Sequence, residues 1–168
     1  AVGAEASAIN VNDDATIAQA ATITAAFGTN GTNNLTVSTL SIADTAAELV
    51  DAVANTDELA LLNAAVTNAN LNVDGTISVA DAKAINTALD SKIDGQFTLE
   101  DSAANLVAAA ADTATGGRVV VQDATSIAIT GQVSMSDLAS IKAYAGLIGS
   151  SAVTNPSVTY NVLDSFSA

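Results

Sequence analysis

The stretch Leu71-Asn-Val-Asp-Gly-Thr-Ile-Ser-Val-Ala-Asp-Ala-Lys-Ala-Ile-Asn-Thr-Ala-Leu89 is one of three copies that align without a gap. The other two copies cover residues 9–27 and 127–145, and we call all three first-type repeats. Each copy opens with alternating apolar residues and then places a hydroxyl residue three positions before an acid or amide. These pairs are Thr16 with Gln19, Ser78 with Asp81, and Ser134 with Asp137. The pattern predicts a short strand followed by a helix with a reciprocal N-terminal cap.

A second pattern alternates with the first. It reads Leu40-Ser-Ile-Ala-Asp-Thr-Ala-Ala-Glu-Leu-Val50, then Phe97-Thr-Leu-Glu-Asp-Ser-Ala-Ala-Asn-Leu-Val107, with a truncated copy Tyr160-Asn-Val-Leu-Asp-Ser165. We call these second-type repeats. Each again predicts a strand followed by a capped helix, with Asp or the following hydroxyl residue as the cap. The cap candidates are Asp44, Thr45, Asp101 and Ser102.

Strand and helix signals in strict succession place the chain in the α/β class, because parallel strands need helical crossovers. We expect a solenoid-like repeat array over residues 1–168, with short parallel strands and capped helices. An ordinary compact α/β domain that arose by duplication is the alternative. Expected strands are 35–42, 71–73, 97–99, 119–121, 127–129 and 158–162. Expected helices are 17–27, 45–54, 57–66, 79–91, 102–112 and 135–148. The units are 9–34, 35–70, 71–96, 97–126, 127–157 and an incomplete 158–168.

Composition excludes several classes of function. The 18 acids against 4 basic residues give a net charge of −14, which disfavours nucleic acid and anionic membrane surfaces as partners. No apolar run approaches the roughly 18 residues of a spanning helix, so we expect no membrane insertion. The sequence has no His and no Cys, which removes the usual general base, thiol nucleophiles and nearly all zinc sites. We therefore expect no enzyme.

The segments Asp44-Thr-Ala-Ala-Glu-Leu49 and Asp101-Ser-Ala-Ala-Asn-Leu106 resemble the recurring "SDTAANL" units of very large bacterial surface proteins. Those proteins include S-layer-like, adhesin-like and haemolysin-type exported proteins. The segment Ile77-Ser-Val-Ala-Asp-Ala82 resembles the element that alternates with these units there, and the resemblance spans about residues 9–167. It implies an extracellular, cell-surface repeat module that acts in assembly or adhesion. The glycine-rich calcium nonapeptides of such proteins do not occur in this sequence, so a calcium roll is not implied.

One loop fits the spacing of a 12-residue calcium loop, with Gly75 at the sharp turn. The oxygen ligands would come from Asn70, Asn72, Asp74, Thr76, Ser78 and Asp81. The loop resembles the dockerin version, which also ends in Asp. The alternative is a capped turn without metal, because Ser78 and Asp81 already account for a helix cap. That alternative is favoured, since the other two first-type repeats lack most of these ligands.

Two classes of function follow. The first is a structural or assembly module of an S-layer, filament or adhesin, with calcium as a possible stabilising ion. Its partners would be further copies or neighbouring repeats of the same protein. The second is a calcium- or carbohydrate-binding module of a secreted protein. Sugar stacking would need an aromatic patch, and 2 Tyr, 3 Phe and no Trp supply little for one.

Two structural expectations complete the sequence-based picture. Leu49, Leu106, Ile85 and Ile141 should occupy equivalent buried positions facing the sheet, as the gapless alignment requires. Residues 160–162 should form a strand, after which Asp164-Ser165 should begin a helix that the sequence does not complete. We expect either a fragment of a longer protein or subunits that complete each other head to tail.

Overall fold

The computed structural model describes residues 8–9, 14–27, 36–37, 41–66, 71–89, 97–145 and 157–162. These residues form an α/β structure with parallel strands and seven helices. The strands are β1 (Ala8–Ile9), β2 (Thr36–Val37), β3 (Ile42–Thr45), β4 (Leu71–Asp74), β5 (Thr76–Ile77), β6 (Thr98–Ser102), β7 (Ser126–Val133) and β8 (Ser157–Val162). The helices are α1 (Ile17–Phe27), α2 (Ala46–Ala54), α3 (Thr56–Val66), α4 (Val79–Ala88), α5 (Ala103–Ala111), α6 (Gly117–Asp123) and α7 (Met135–Ala145).

The strands pair in the order in which they occur in the chain. β1 pairs with β2, β3 pairs with β4, and β5 to β8 form a four-stranded sheet in sequence order, with every pairing parallel. A single parallel bridge joins Ala15 to Ile42. Gly75, with φ +87°, separates β4 from β5. The first half of this segment therefore pairs with the preceding strand β3, and the second half pairs with the following strand β6.

The register of strand pairing repeats from copy to copy. Where a first-type strand precedes a second-type strand, the opposed residues are Ala15 and Ile42, Ile77 and Leu99, and Val133 and Val162. Where a second-type strand precedes a first-type strand, they are Ile42 and Leu71, and Leu99 and Ile127. Within each class the opposed residues occupy the same aligned positions of the sequence repeat. These aligned positions therefore face each other where they are paired. The remaining pairs differ in register, because Ile9 lies opposite Val37, whereas Ile127 lies opposite Val158 and the pairing of β7 with β8 shifts between Ala128 and Gln132.

The core runs between the strands and the helices that follow them. Leu49, Leu106, Ile85 and Ile141 are each 0% exposed, which confirms the prediction that these aligned positions are buried. Small buried side chains on four of the helices accompany them: Ala20, Ala52, Ala82 and Ala109. Side chains of this size leave room for close helix packing, and helices two apart in sequence, such as α2 with α4 and α5 with α7, are in contact.

Most predicted helices agree with the structure within one residue, whereas the strands predicted at 97–99 and 127–129 extend further, to Ser102 and Val133. Helix α1 has the predicted bounds, and α4 ends at Ala88 rather than at residue 91. The expected strand at 35–42 corresponds to β2 and β3, with residues 38–40 outside the described part. Residues 146–148 of the last predicted helix and Asp164-Ser165 also lie outside it.

The predicted strand at Val119 to Val121 is wrong, because these residues belong to helix α6. Three consecutive β-branched residues favour a strand locally. Packing decides otherwise, since Val120 and Val121 are each 1% exposed and α6 lies against α4, α5 and α7. Among the described helices, none combines the length and the apolar character needed to cross a bilayer.

Candidate functional site

An open cleft of about 530 Å³ between α4 and α5 gathers the candidate functional groups. Its polar side chains are Lys83, Asp101, Asn105 and Asp112, and its apolar lining consists of Val79, Ala80, Ala108 and Ala109. Helix α4 of a first-type repeat supplies one wall, and α5 of the following second-type repeat supplies the other. The cleft therefore lies at the boundary between two units.

Lys83 and Asp112 form an ion pair across this cleft. Lys83 Nζ lies 2.9 Å from Asp112 Oδ2 and donates a second hydrogen bond of 2.8 Å to Thr115 Oγ1. Asp112 Oδ1 accepts from the backbone N–H groups of Ala114 and Thr115 at 3.0 and 2.9 Å. The Thr115 hydroxyl also donates to Asp112 Oδ2. The hydrogen bonds from Thr115, together with Lys83, hold the pKa of Asp112 well below its usual range.

The turn between α5 and α6 explains why these groups meet. The Asp112 N–H donates to Ala109 O, which ends α5, and Gly116 adopts φ +82°, a conformation that favours glycine. At Gly117 a Cβ would lie 2.9 Å from both Ala109 O and Asp112 Oδ2. Two consecutive glycines therefore let α6 begin against the end of α5.

The first pair of repeats contains the same hydrogen bonds after its second-type helix, but without the ion pair, and there α3 begins at once at Thr56. Asn55 aligns with Asp112, and Ala21 aligns with Lys83. The Asn55 N–H donates to Ala52 O, and Asn55 Oδ1 accepts from Asp57 N at 3.0 Å and Glu58 N at 3.4 Å. An amide oxygen is thus sufficient to form the turn. Within the aligned pair, the carboxylate is present where the lysine is present.

We expect Lys83 and Asp112 to be coupled in stability. Lys83→Ala and Asp112→Asn should each destabilise the fold. The double variant reproduces the Ala21 and Asn55 arrangement, and it should lose less stability than the two single variants lose together. Because the folded pKa of Asp112 is lowered, its stabilisation is present above the unfolded pKa near 3.9 and is lost as pH falls below it. Urea unfolding of the wild type and of Asp112→Asn should give a difference in the free energy of unfolding that is smaller at pH 3 than at pH 7. Additive single effects and a pH-independent gap would contradict this coupling.

Of the two cap candidates in each second-type repeat, the hydroxyl residue forms the cap, and Asp44 and Asp101 instead connect successive units. Asp101 Oδ2 accepts from the N–H of Val79, the first residue of α4, at 3.1 Å, and Asp44 Oδ2 accepts from the N–H of Ile17, the first residue of α1, at 3.0 Å. The N-caps of α2 and α5 are Thr45 and Ser102. Asp44 and Asp101 are therefore not the caps of their own helices. Each lies one residue earlier and binds the helix N-terminus of the preceding unit.

The same two carboxylates also hold the start of their own helices. Asp101 Oδ1 accepts from Ser102 N and from Asn105 Nδ2, each at 2.7 Å, and Asp44 Oδ1 accepts from Thr45 N at 2.9 Å. Each carboxylate thus bonds one backbone N–H in each of two neighbouring units. A negative charge beside a helix N-terminus also interacts favourably with the helix dipole.

The first-type caps are formed at the predicted residues. Thr16 and Gln19 exchange both bonds, with Thr16 N donating to Gln19 Oε1 at 3.0 Å and Gln19 N donating to Thr16 Oγ1 at 3.3 Å. In the other two copies the hydroxyl accepts from the backbone N–H of the acid and donates to its carboxylate at 2.7 Å. These pairs are Ser78 with Asp81, and Ser134 with Asp137. The acid therefore accepts from the hydroxyl rather than from the backbone of the cap residue.

The residues proposed as calcium ligands lie along two strands and a helix start. Asn70 lies outside the described residues, and the Asn72 amide donates to Asp14 Oδ2 at 3.0 Å. Asp74 and Thr76 are exposed on either side of Gly75, and Ser78 and Asp81 bind each other. Within the described ranges, no group of three or more acidic side chains is arranged to hold a metal ion. Calcium binding by this loop stays a prediction that titration with calcium would test.

Sequence reasoning missed two contacts of this site. The Lys83–Asp112 pair and the Asp101–Val79 bond join residues 29 and 22 positions apart, beyond the reach of helix periodicity. One signal was present, because each second-type repeat carries an acid directly before a hydroxyl cap, which is one more polar group than a cap needs.

Comparison of the chain with protein families, with curated proteins and with solved structures finds no match.

Proposed function

We propose that the chain is a non-enzymatic structural module of an extracellular bacterial surface protein such as an S-layer, filament or adhesin. In this proposal the six units form a solenoid-like array, in which each unit packs mainly on its neighbours. The observation that carries the proposal is that aligned positions of the repeats face each other in successive strand pairs, as with Ile42 opposite Leu71 and Leu99 opposite Ile127. A protein whose interfaces repeat in this way can be lengthened by adding units, as a structural layer or filament requires.

The bonds at the unit boundaries support a load-carrying role. Asp44 and Asp101 each link the helix starts of two consecutive units, and the ion pair of Lys83 with Asp112 lies across the second of these boundaries. In the described part of the chain these polar groups bind one another, backbone N–H groups, or the side chains of Asn105 and Thr115. Their chemistry therefore serves the joining of units, and the resemblance to surface-protein repeats supports a location at the cell exterior.

Lengthening the array tests the proposal. Residues 71–126 would be duplicated directly after Ser126, so that Leu71 of the insert takes the place of its aligned residue Ile127. The insert adds two layers of strands, one formed by β4 with β5 and the other by β6. Because neighbouring parallel strands lie about 4.8 Å apart, the longest dimension in X-ray scattering should grow by roughly 10 Å. A control would insert the same residues in scrambled order, which should unfold or leave an unstructured loop. An unfolded duplication, or a folded one with unchanged length, would refute the array.

Localisation would be tested in the source cells with an antibody against the folded chain. Intact cells should be labelled as strongly as permeabilised cells if the protein lies at the surface. Labelling that requires permeabilisation would contradict the extracellular assignment.

A further inference from the structure

Asp74 and Gly75 form an exposed turn between β4 and β5. Of the aspartates that the structure describes, Asp74 alone is followed by glycine. Gly75 adopts φ +87°, and an added Cβ there would meet no heavy atom of the described residues within 4 Å. Neither a side chain of its own nor a neighbouring group at the Cβ position therefore hinders the approach of the Asp74 carboxyl group to the Gly75 nitrogen.

An aspartate followed by glycine can react with its own backbone, because the amide nitrogen and the side-chain carboxyl group can close a five-membered ring. The Gly75 nitrogen attacks Cγ of the neutral Asp74 carboxyl group, and its proton leaves with the carboxyl hydroxyl group as water. Water then adds to the Asp74 main-chain carbonyl carbon of the resulting succinimide and breaks the bond from that carbon to the Gly75 nitrogen. The product is isoaspartate, in which the main chain runs through Cβ and Cγ. One water leaves and one enters, so the reaction needs no oxidant and no further reactant.

The strands on both sides of this turn have a fixed register. Asp74 lies opposite Thr45 in the pairing of β4 with β3, and Thr76 lies opposite Thr98 in the pairing of β5 with β6. Isoaspartate adds one main-chain bond of about 1.5 Å to this short link. Because Gly75 alone separates the two registered residues, one of the two strand pairs has to absorb the extra length.

The aligned turn of the third first-type repeat provides a natural comparison. Thr130 and Gly131 align with Asp74 and Gly75 and are also exposed, and Gly131 has φ +76°. The same left-handed glycine thus follows a hydroxyl residue there, and a hydroxyl side chain has no carbonyl carbon for the nitrogen to attack. The turn therefore forms without a carboxylate, and the carboxylate at residue 74 adds the reactivity.

We propose that Asp74 isomerises spontaneously to isoaspartate in the folded chain, and that this change loosens the strand pairing of β4 or β5. The modification needs no enzyme and accumulates with the age of the molecule. Each molecule that reacts loses the close link between two strand pairs. This inference is independent of the surface role proposed above, since it depends on the turn and on the two strand pairs beside it.

Incubation of the folded protein for weeks at physiological temperature, in buffer with a calcium chelator, tests the site. Isoaspartate would be located by fragmentation mass spectrometry, which has to resolve positions because Asp94-Gly95 is a second such pair, outside the described residues. Residue 74 should carry isoaspartate several-fold more often than Asp101 or Asp112, whose carboxylates are held by hydrogen bonds. In the aged protein, the amides of β4 or β5 should exchange several-fold faster than in fresh protein.

Two variants make the outcome decisive. Asp74→Thr reproduces the Thr130-Gly131 turn, so it should form no isoaspartate at this position and keep its amide exchange unchanged on ageing. Asp74→Asn closes the same ring with loss of ammonia, so it should convert faster, with a change of mass that measures the cyclisation directly.

The proposal is wrong if residue 74 of the folded chain carries no more isoaspartate than Asp101. Formation in urea-unfolded protein alone would then show that the strands hold the turn away from the reactive geometry. Unchanged amide exchange in protein that carries isoaspartate at residue 74 would refute the loosening of the strand pairs.

Discussion

Leu106→Ala should lower the free energy of unfolding by about 2–5 kcal/mol. Leu106 is 0% exposed on α5, a helix that contacts β6, β7, α6 and α7. Removing its three outer carbons loses transfer free energy and leaves a cavity that these elements cannot fully close. Chemical denaturation followed by circular dichroism would measure the loss.

Two comparisons make this result specific to the repeat. Leu49 holds the aligned position on α2 and is also 0% exposed, so Leu49→Ala should cost an amount in the same range. Val119→Ala on the neighbouring helix α6, where Val119 is 37% exposed, should change stability by no more than about 0.5 kcal/mol. A Leu106→Ala loss below about 0.5 kcal/mol, or a large loss at Val119, would show that the alignment misplaces the core.

The positions that sequence predicted well are those whose structure is determined locally. Helix α1 begins at Ile17 because Thr16 and Gln19 form a reciprocal cap within four residues. The buried Leu and Ile positions follow from the aligned copies, because a strand alternates and a helix repeats every 3.6 residues. In such cases neighbouring residues supply both the signal and the contact.

The features that sequence did not predict depend on residues far apart in the chain. Helix α6 forms despite the strand preference of Val119 to Val121, because its buried face meets α4, α5 and α7. Asp101 looked like a cap for α5, but its Oδ2 lies on Val79, whose position becomes known only when β5 and β6 pair. A capping motif identifies a polar group near a helix start. It does not identify which of two adjacent helices receives the bond.

The aligned turns show how the site varies on a constant fold. Asn55 and Asp112 both end a helix and bond the backbone two and three residues later. Asp112 carries a charge and forms an ion pair with Lys83. Asn55 is uncharged, and the residue that aligns with Lys83 in its pair of repeats is Ala21. The fold thus sets the hydrogen-bond geometry of the turn, and the paired side chains determine the electrostatics at each unit boundary.

Asp101→Ala should lower the free energy of unfolding by about 2–3 kcal/mol, because three donors lose a charged acceptor. These donors are the N–H groups of Val79 and Ser102 and the side-chain amide of Asn105. Val79 is only 8% exposed, so water has little room to replace the lost bond at the start of α4. Asp101→Asn keeps one oxygen acceptor and should lose about half as much.

Hydrogen exchange would show whether Asp101 joins two units. In Asp101→Ala the Val79 amide should exchange faster, although it belongs to the preceding repeat and lies 22 residues away. Ser102→Ala is the matched control, because Ser102 Oγ accepts only from Asn105 N in the described contacts and its loss should affect α5 alone. If Asp101→Ala leaves Val79 protected and alters only α5, the carboxylate acts within its own unit, and the bond between units carries no stability. Faster exchange at Val79 in Asp101→Ala but not in Ser102→Ala would establish that the carboxylate bond, which occurs at both Asp44 and Asp101, couples one repeat to the next.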